Sequence, residues 1–141
     1  MAITRTQTQV TWSSASTKSV TSATEVTSDV FTIDDTCVAL VIQCHADNAS
    51  SPSATDTAVF KIQWSTGDVA ADTGDDYDTS EHAQYLMTLN TYASSTPGED
   101  PARRTVILEP VASKFKIAVT CANAASHNIT VAVRVDEIRA A

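Results

Sequence analysis

At 141 residues the chain suits a single domain, and at that length roughly 70% of the unfolded surface is buried on folding, so no disulfide framework or structural metal is required. Nine basic against seventeen acidic residues give a formal charge of −8, which argues against a surface that tracks nucleic-acid phosphates or anionic membranes. The three cysteines, Cys37, Cys44 and Cys121, form no C-x-x-C pair, so reduced core thiols are expected, with an oxidised Cys44–Cys121 pair left open.

Residues 1–12 lack both a charged leader region and a long apolar one, and no later stretch approaches the roughly 20 apolar residues of a membrane span. Synthesis and folding in the cytoplasm are therefore expected, and the sequons at Asn48 and Asn128 carry no weight without a secretory route. Residues 1–24 are dense in Thr and Ser, which suits an extended N-terminal arm or edge strand, with Val10 and Trp12 as its apolar anchors. Residues 25–141 then form the folded domain.

Residues 25–33 make the first solid strand, with Phe31 and Ile33 on one phase and Val26 and Val30 on the other. Residues 37–45 are the most apolar run: Val38, Leu40 and Ile42 face one way, Ala39 and Val41 the other. A strand apolar on both faces is central or is covered by a neighbouring subunit, so Ala39 and Val41 are candidate interface residues, as are the anchors Val10 and Trp12. After a polar loop holding Pro52, residues 59–65 alternate Phe60, Ile62 and Trp64 with Lys61 and Gln63. An acidic connection leads to a weaker strand at 84–89, and a loop with Pro97, Gly98 and Pro101 leads to another at 103–108. Residues 115–121 and 129–136 alternate cleanly and read as a closing β-hairpin with one face in a core.

About eight short strands, long polar loops and no convincing helix predict an all-β fold, a single antiparallel β-sandwich of jelly-roll or Greek-key type. A closed barrel is the nearest alternative, and the three glycines argue mildly against it.

The chemistry is sparse. There is no G-x-S-x-G elbow and no Gly-rich phosphate loop, and His45, His82 and His127 lie in separate segments without triad or metal spacing. No enzyme activity, catalytic residue or cofactor is expected. The acidic loop offers Asp72, Asp75, Asp76 and Asp78 as candidate Ca²⁺ ligands, because hard cations take several carboxylate oxygens. EF-hand order fails: counting from Asp76 puts Glu81 where glycine is needed and Met87 where the bidentate glutamate belongs. A solvated acidic loop is the plainer reading. Trp64 falls in the core phase, whereas Tyr77, Tyr92 and Trp12 lie in polar surroundings and are candidates for a sugar platform or a subunit contact.

The run from Phe60 to Asp68, FKIQWSTGD, followed by KFKIAV at 114–119 and a valine-rich last strand, resembles small β-sandwich structural proteins of tailed-bacteriophage virions. The resemblance implies a decoration or cement protein on the capsid exterior, assembled in the host cytoplasm, with the major capsid protein as partner. It also implies a homo-oligomer, a trimer first, whose arm reaches a neighbour. A tail, neck or fibre-associated module, including a carbohydrate-binding one, is the alternative.

Overall fold

The computed structural model describes residues 2–48, 56–91, 102–122, 124, 127 and 129–140. In chain order the strands are β1 (Ile3–Gln9), β2 (Lys18–Val20), β3 (Val26–Thr27), β4 (Phe31–Thr32) and β5 (Cys37–Asn48). They continue as β6 (Thr57–Ser65), β7 (Gln84–Asn90), β8 (Ala102–Leu108), β9 (Lys114–Cys121) and β10 (Ile129–Ala140). No helix among the described residues is long and apolar enough to cross a membrane.

Two antiparallel sheets face each other. The first runs β1-β10-β5-β8, with β2 pairing β10 beyond the end of β1; the second runs β3-β9-β6-β7, with β4 also pairing β9. With β1 and β2 counted as one interrupted strand, and β3 and β4 as another, the orders become 1-8-3-6 and 2-7-4-5. That is the eight-stranded jelly roll, the first of the two expected topologies.

The period-two pattern explains the layering. Leu40, Ile42 and Cys44 of β5 and Val131, Val133 and Val135 of β10 point inward from the first sheet. They meet Phe60 and Ile62 of β6, Met87 of β7 and Phe115, Ile117 and Val119 of β9. Each such large side chain contributes about 1.5–3 kcal/mol by leaving water. Phe115 is the aromatic centre: Phe31 stacks on it at 4.8 Å and Trp64 meets it edge-on at 5.6 Å. Trp64 is thus a core residue, as its phase predicts. The cysteines are free, and burial pushes Cys44 and Cys121 up to about 12, so both are inert thiols.

Three expectations are corrected. The closing strands do not form a hairpin: β9 pairs with β6 and β10 pairs with β5, so the chain arches from one sheet to the other between them. Their apolar faces meet across the core instead of lying side by side. The strand expected over 25–33 is broken because Ser28 interrupts the ladder. Its N–H donates to Ile117 O, its Oγ accepts from Ile117 N–H, and the next N–H, of Asp29, donates to Thr11 O in the opposite layer.

The N-terminal segment is an integrated edge strand. All seven residues of β1 are in register with β10, from Ile3 opposite Ala140 to Gln9 opposite Arg134. Val10 and Trp12, expected at an interface, are 2% and 4% exposed within this chain's own core. The reason is local. Between β1 and β2, Trp12 and Ala15 pair across a two-residue turn, with Ser13 at φ 48° and Ser14 at φ 69°, which folds the Trp12 side chain inward. The Asp29 carboxylate holds the turn, accepting from Ser13 N–H, Ser14 N–H and Thr11 Oγ; the Thr11 bond and then that of Ser14 lower its pKa, against its small desolvation. Non-glycine residues at positive φ are strained, so Ser14→Gly is expected to stabilise the fold by about 1 kcal/mol. A melting temperature raised by about 2–4 °C is the measurement that checks it.

Candidate functional site

Three places draw polar and exposed apolar groups together. The first is the outer face of the sheet that contains β5. The register sets Ile138 of β10 opposite Ala39 of β5, and Val41 opposite Ile107 of β8. Ala39 and Val41 are neighbours on one face of β5, so the four side chains make a continuous apolar row across three strands. Ile107 is 74% exposed. Of the expected interface residues, then, Ala39 and Val41 lie half-buried on an outward face, while Val10 and Trp12 do not.

Beside this row lies Asp136, also facing outward yet almost wholly buried. Arg5 Nε donates to its Oδ2 at 2.6 Å and Arg5 Nη2 to the same oxygen, while Oδ1 is buried with no hydrogen-bond partner among the described residues. An unmatched buried acceptor is unfavourable, and a donor from a covering surface would relieve it. Further along the face, His45 shares a hydrogen bond with Gln43 at 2.9 Å. Burial, then the charges of Arg103 and Arg134, push it below the usual histidine value, so it is neutral at physiological pH.

The second place is the acidic loop between β6 and β7. It folds back on the end of β6: Asp76 N–H donates to Gly67 O and Asp78 N–H to Trp64 O. Gly67, at φ 128°, supplies the backbone geometry that other residues rarely adopt. The expected Ca²⁺ ligands are dispersed by this folding. Asp75 pairs with Lys114 at 2.5 Å, Asp76 Oδ2 accepts from Val69 and Ala70 N–H, Asp72 Oδ1 accepts from Thr73 N–H, and Asp78 Oδ2 accepts from Trp64 N–H. No three acidic, histidine or cysteine side chains gather to hold a metal among the described residues. The carboxylates cap backbone amides, which is the commoner work of Asp in loops. What the loop builds is a groove of about 370 Å³ at the end of β6, lined by Trp64, Val69, Asp76, Tyr77, Asp78 and Val111, among others. Lys116 lies 4.4 Å from the centre of the Tyr77 ring. Tyr92, the other tyrosine expected at a surface site, lies outside the described residues.

The third is a buried polar clasp that sequence reasoning missed. Asn48 Nδ2 donates to Asp56 Oδ2 at 2.9 Å, and Thr91 donates both its N–H and its Oγ1 to the Asp56 carbonyl. His127 Nδ1 stands 2.7 Å from Asp56 Oδ2, an ion-pair separation off the line of a hydrogen bond. Four segments meet here, from both sheets and the β9–β10 arch. An aspartate beside a histidine suggests acid–base chemistry; the contacts of Asp56 with Asn48 and Thr91 tie segments together. The Asn48 side chain is buried in this clasp; Asn128 lies outside the described residues. The available signal was Asn48 itself, a polar group on the inward phase of β5.

The fold and these surfaces define a jelly-roll β-sandwich with an apolar row on one outer face and an aromatic, acidic groove at one end. No protein-family model matches the sequence, and no curated protein does. Among solved structures, the chain is similar to part of dimeric latent PorU from Porphyromonas gingivalis. The identity is 8% and the TM-score 0.47, over 97% of this chain and 13% of that one. It is also similar to the CBM22-1 xylan-binding domain of Paenibacillus barcinonensis Xyn10C, at 11% identity and TM-score 0.36 over 74% and 58% of the two chains. A third is the pre-peptidase C-terminal domain of Bacillus anthracis collagenase, at 10% identity and TM-score 0.35 over 92% and 87%. Likenesses at these scores carry nothing about function.

Proposed function

We propose that this chain is a structural protein of a tailed-phage virion, a decoration or cement subunit that lays the outer face of β10, β5 and β8 against the major capsid protein. The apolar row Ile138, Ala39, Val41 and Ile107 carries this reading. A row of this kind on an otherwise polar sheet face gains from being covered, and many copies on one shell add their contacts through effective concentration. The buried, unmatched Asp136 Oδ1 beside it supports the same face. The subunit sits on the capsid exterior after assembly in the host cytoplasm, as a homo-oligomer with a trimer favoured. We assign the contact to this sheet face and not to a reaching arm, a choice supported by the pairing of β1 along its length with β10. A tail, neck or fibre position would use the same row.

Ile107→Asp tests it directly. Ile107 is exposed, so the variant should melt within a few degrees of the parent while its co-sedimentation with purified shells falls by about tenfold or more. Undiminished shell binding by this variant would remove the proposal.

A further inference from the structure

We propose that the groove at the end of β6 is a binding site for a neutral sugar. Its volume of about 370 Å³ falls within the roughly 300–1,000 Å³ of small-molecule sites and admits a pyranose. Two features give its chemistry. The rims are apolar and stand in water: Val69 is 79% and Val111 65% exposed, and the half-buried Tyr77 lines the groove with them. A sugar ring presents a matching face of C–H groups.

The polar part of the lining accepts more than it donates. Asp76 and Asp78 each bind backbone N–H groups through Oδ2, which fixes the orientation of the carboxylates, and each leaves Oδ1 without a hydrogen bond among the described residues. Two pre-oriented acceptors call for a ligand that donates, as adjacent hydroxyl groups do. No Lys or Arg is among the lining residues, and the two carboxylates disfavour phosphate and carboxylate ligands, with the nearest cations engaged elsewhere: Lys116 on the Tyr77 ring and Lys114 on Asp75. The loop carrying the site is braced by the Asp76–Gly67 and Asp78–Trp64 backbone bonds and the Asp75–Lys114 pair, so little ordering is left for binding to impose. This site is separate from the proposed shell contact and does not rest on it.

The test is retention of the intact protein on an immobilised panel of neutral gluco-, manno-, galacto- and xylo-oligosaccharides, with cationic chitosan oligomers included. At least one neutral oligosaccharide should be retained. Val111→Glu, which places a charge on an exposed apolar rim, should weaken that retention by about tenfold with its melting temperature unchanged. Ile107→Asp, directed at the shell contact, should leave it intact. No retention by any neutral oligosaccharide overturns the proposal, and so does equal retention of Val111→Glu. Retention of chitosan alone would reduce the groove to an acidic surface, and loss of sugar with Ile107→Asp would move the site to the sheet face; either result sinks the assignment.

Discussion

Replacing Asp56 with alanine is expected to destabilise the protein by about 2–5 kcal/mol, because a buried polar group that loses its partner costs about 1–3 kcal/mol and two groups lose this one. The carboxylate is fully buried and its Oδ2 faces both Asn48 and His127. Truncation leaves the Asn48 amide and the His127 ring without that acceptor, in a place water does not reach freely. Since a domain of this kind is stable by about 5–15 kcal/mol, the loss is a large share of the total. Urea unfolding should show a lower midpoint with an unchanged slope. Asp56→Asn keeps an acceptor oxygen for the Asn48 amide and should lose less. A midpoint within error of the parent for Asp56→Ala would mean that the clasp contributes nothing.

Phe115→Ala should be comparably severe, at about 3–5 kcal/mol, and for a different reason. Phe115 is fully buried near the start of β9, stacked on Phe31 and met edge-on by Trp64. Its removal opens a cavity beneath two aromatic rings that are held by separate strands, β4 and β6, and cannot both close over it. The short strand β4 pairs with β9 only at Phe31–Phe115 and Thr32–Lys114, so it should loosen first. Amide exchange is the discriminating measurement: protection at residues 31–33 should fall further than protection along β5.

Much of the sandwich was legible because alternation reports directly which face of a strand is buried. Phe60, Ile62 and Trp64 showed their core phase, and Ala39 and Val41 showed that β5 has a second apolar side. Alternation does not report which strand lies alongside. Residues 115–121 and 129–136 have the pattern of a hairpin and equally that of an arch between sheets, and the arch is what β9 and β10 adopt. Nor does composition distinguish a Thr-rich arm from a Thr-rich edge strand. Here the deciding device was the turn at Ser13 and Ser14 held by Asp29, a contact across 15 residues. The clasp was hidden for the same reason: Asn48, Asp56, Thr91 and His127 are unremarkable singly and become a unit only when four segments converge. In the acidic loop, charge density suggested a cation site, whereas the fold assigns most of those carboxylates to backbone amides and a lysine.

The position of β10 bears on how the protein is made. It lies between β1 and β5, so β1 depends on residues 129–140 for its ladder, and β5 has only β8 beside it until they are in place. Until that segment leaves the ribosome, β1 has no ladder and the valine-lined half of the core does not exist. Such long-range pairing makes folding slow and all-or-none, with the apolar strand β5 exposed in the interval. Nascent chains would therefore be most vulnerable to self-association before β10 has been synthesised.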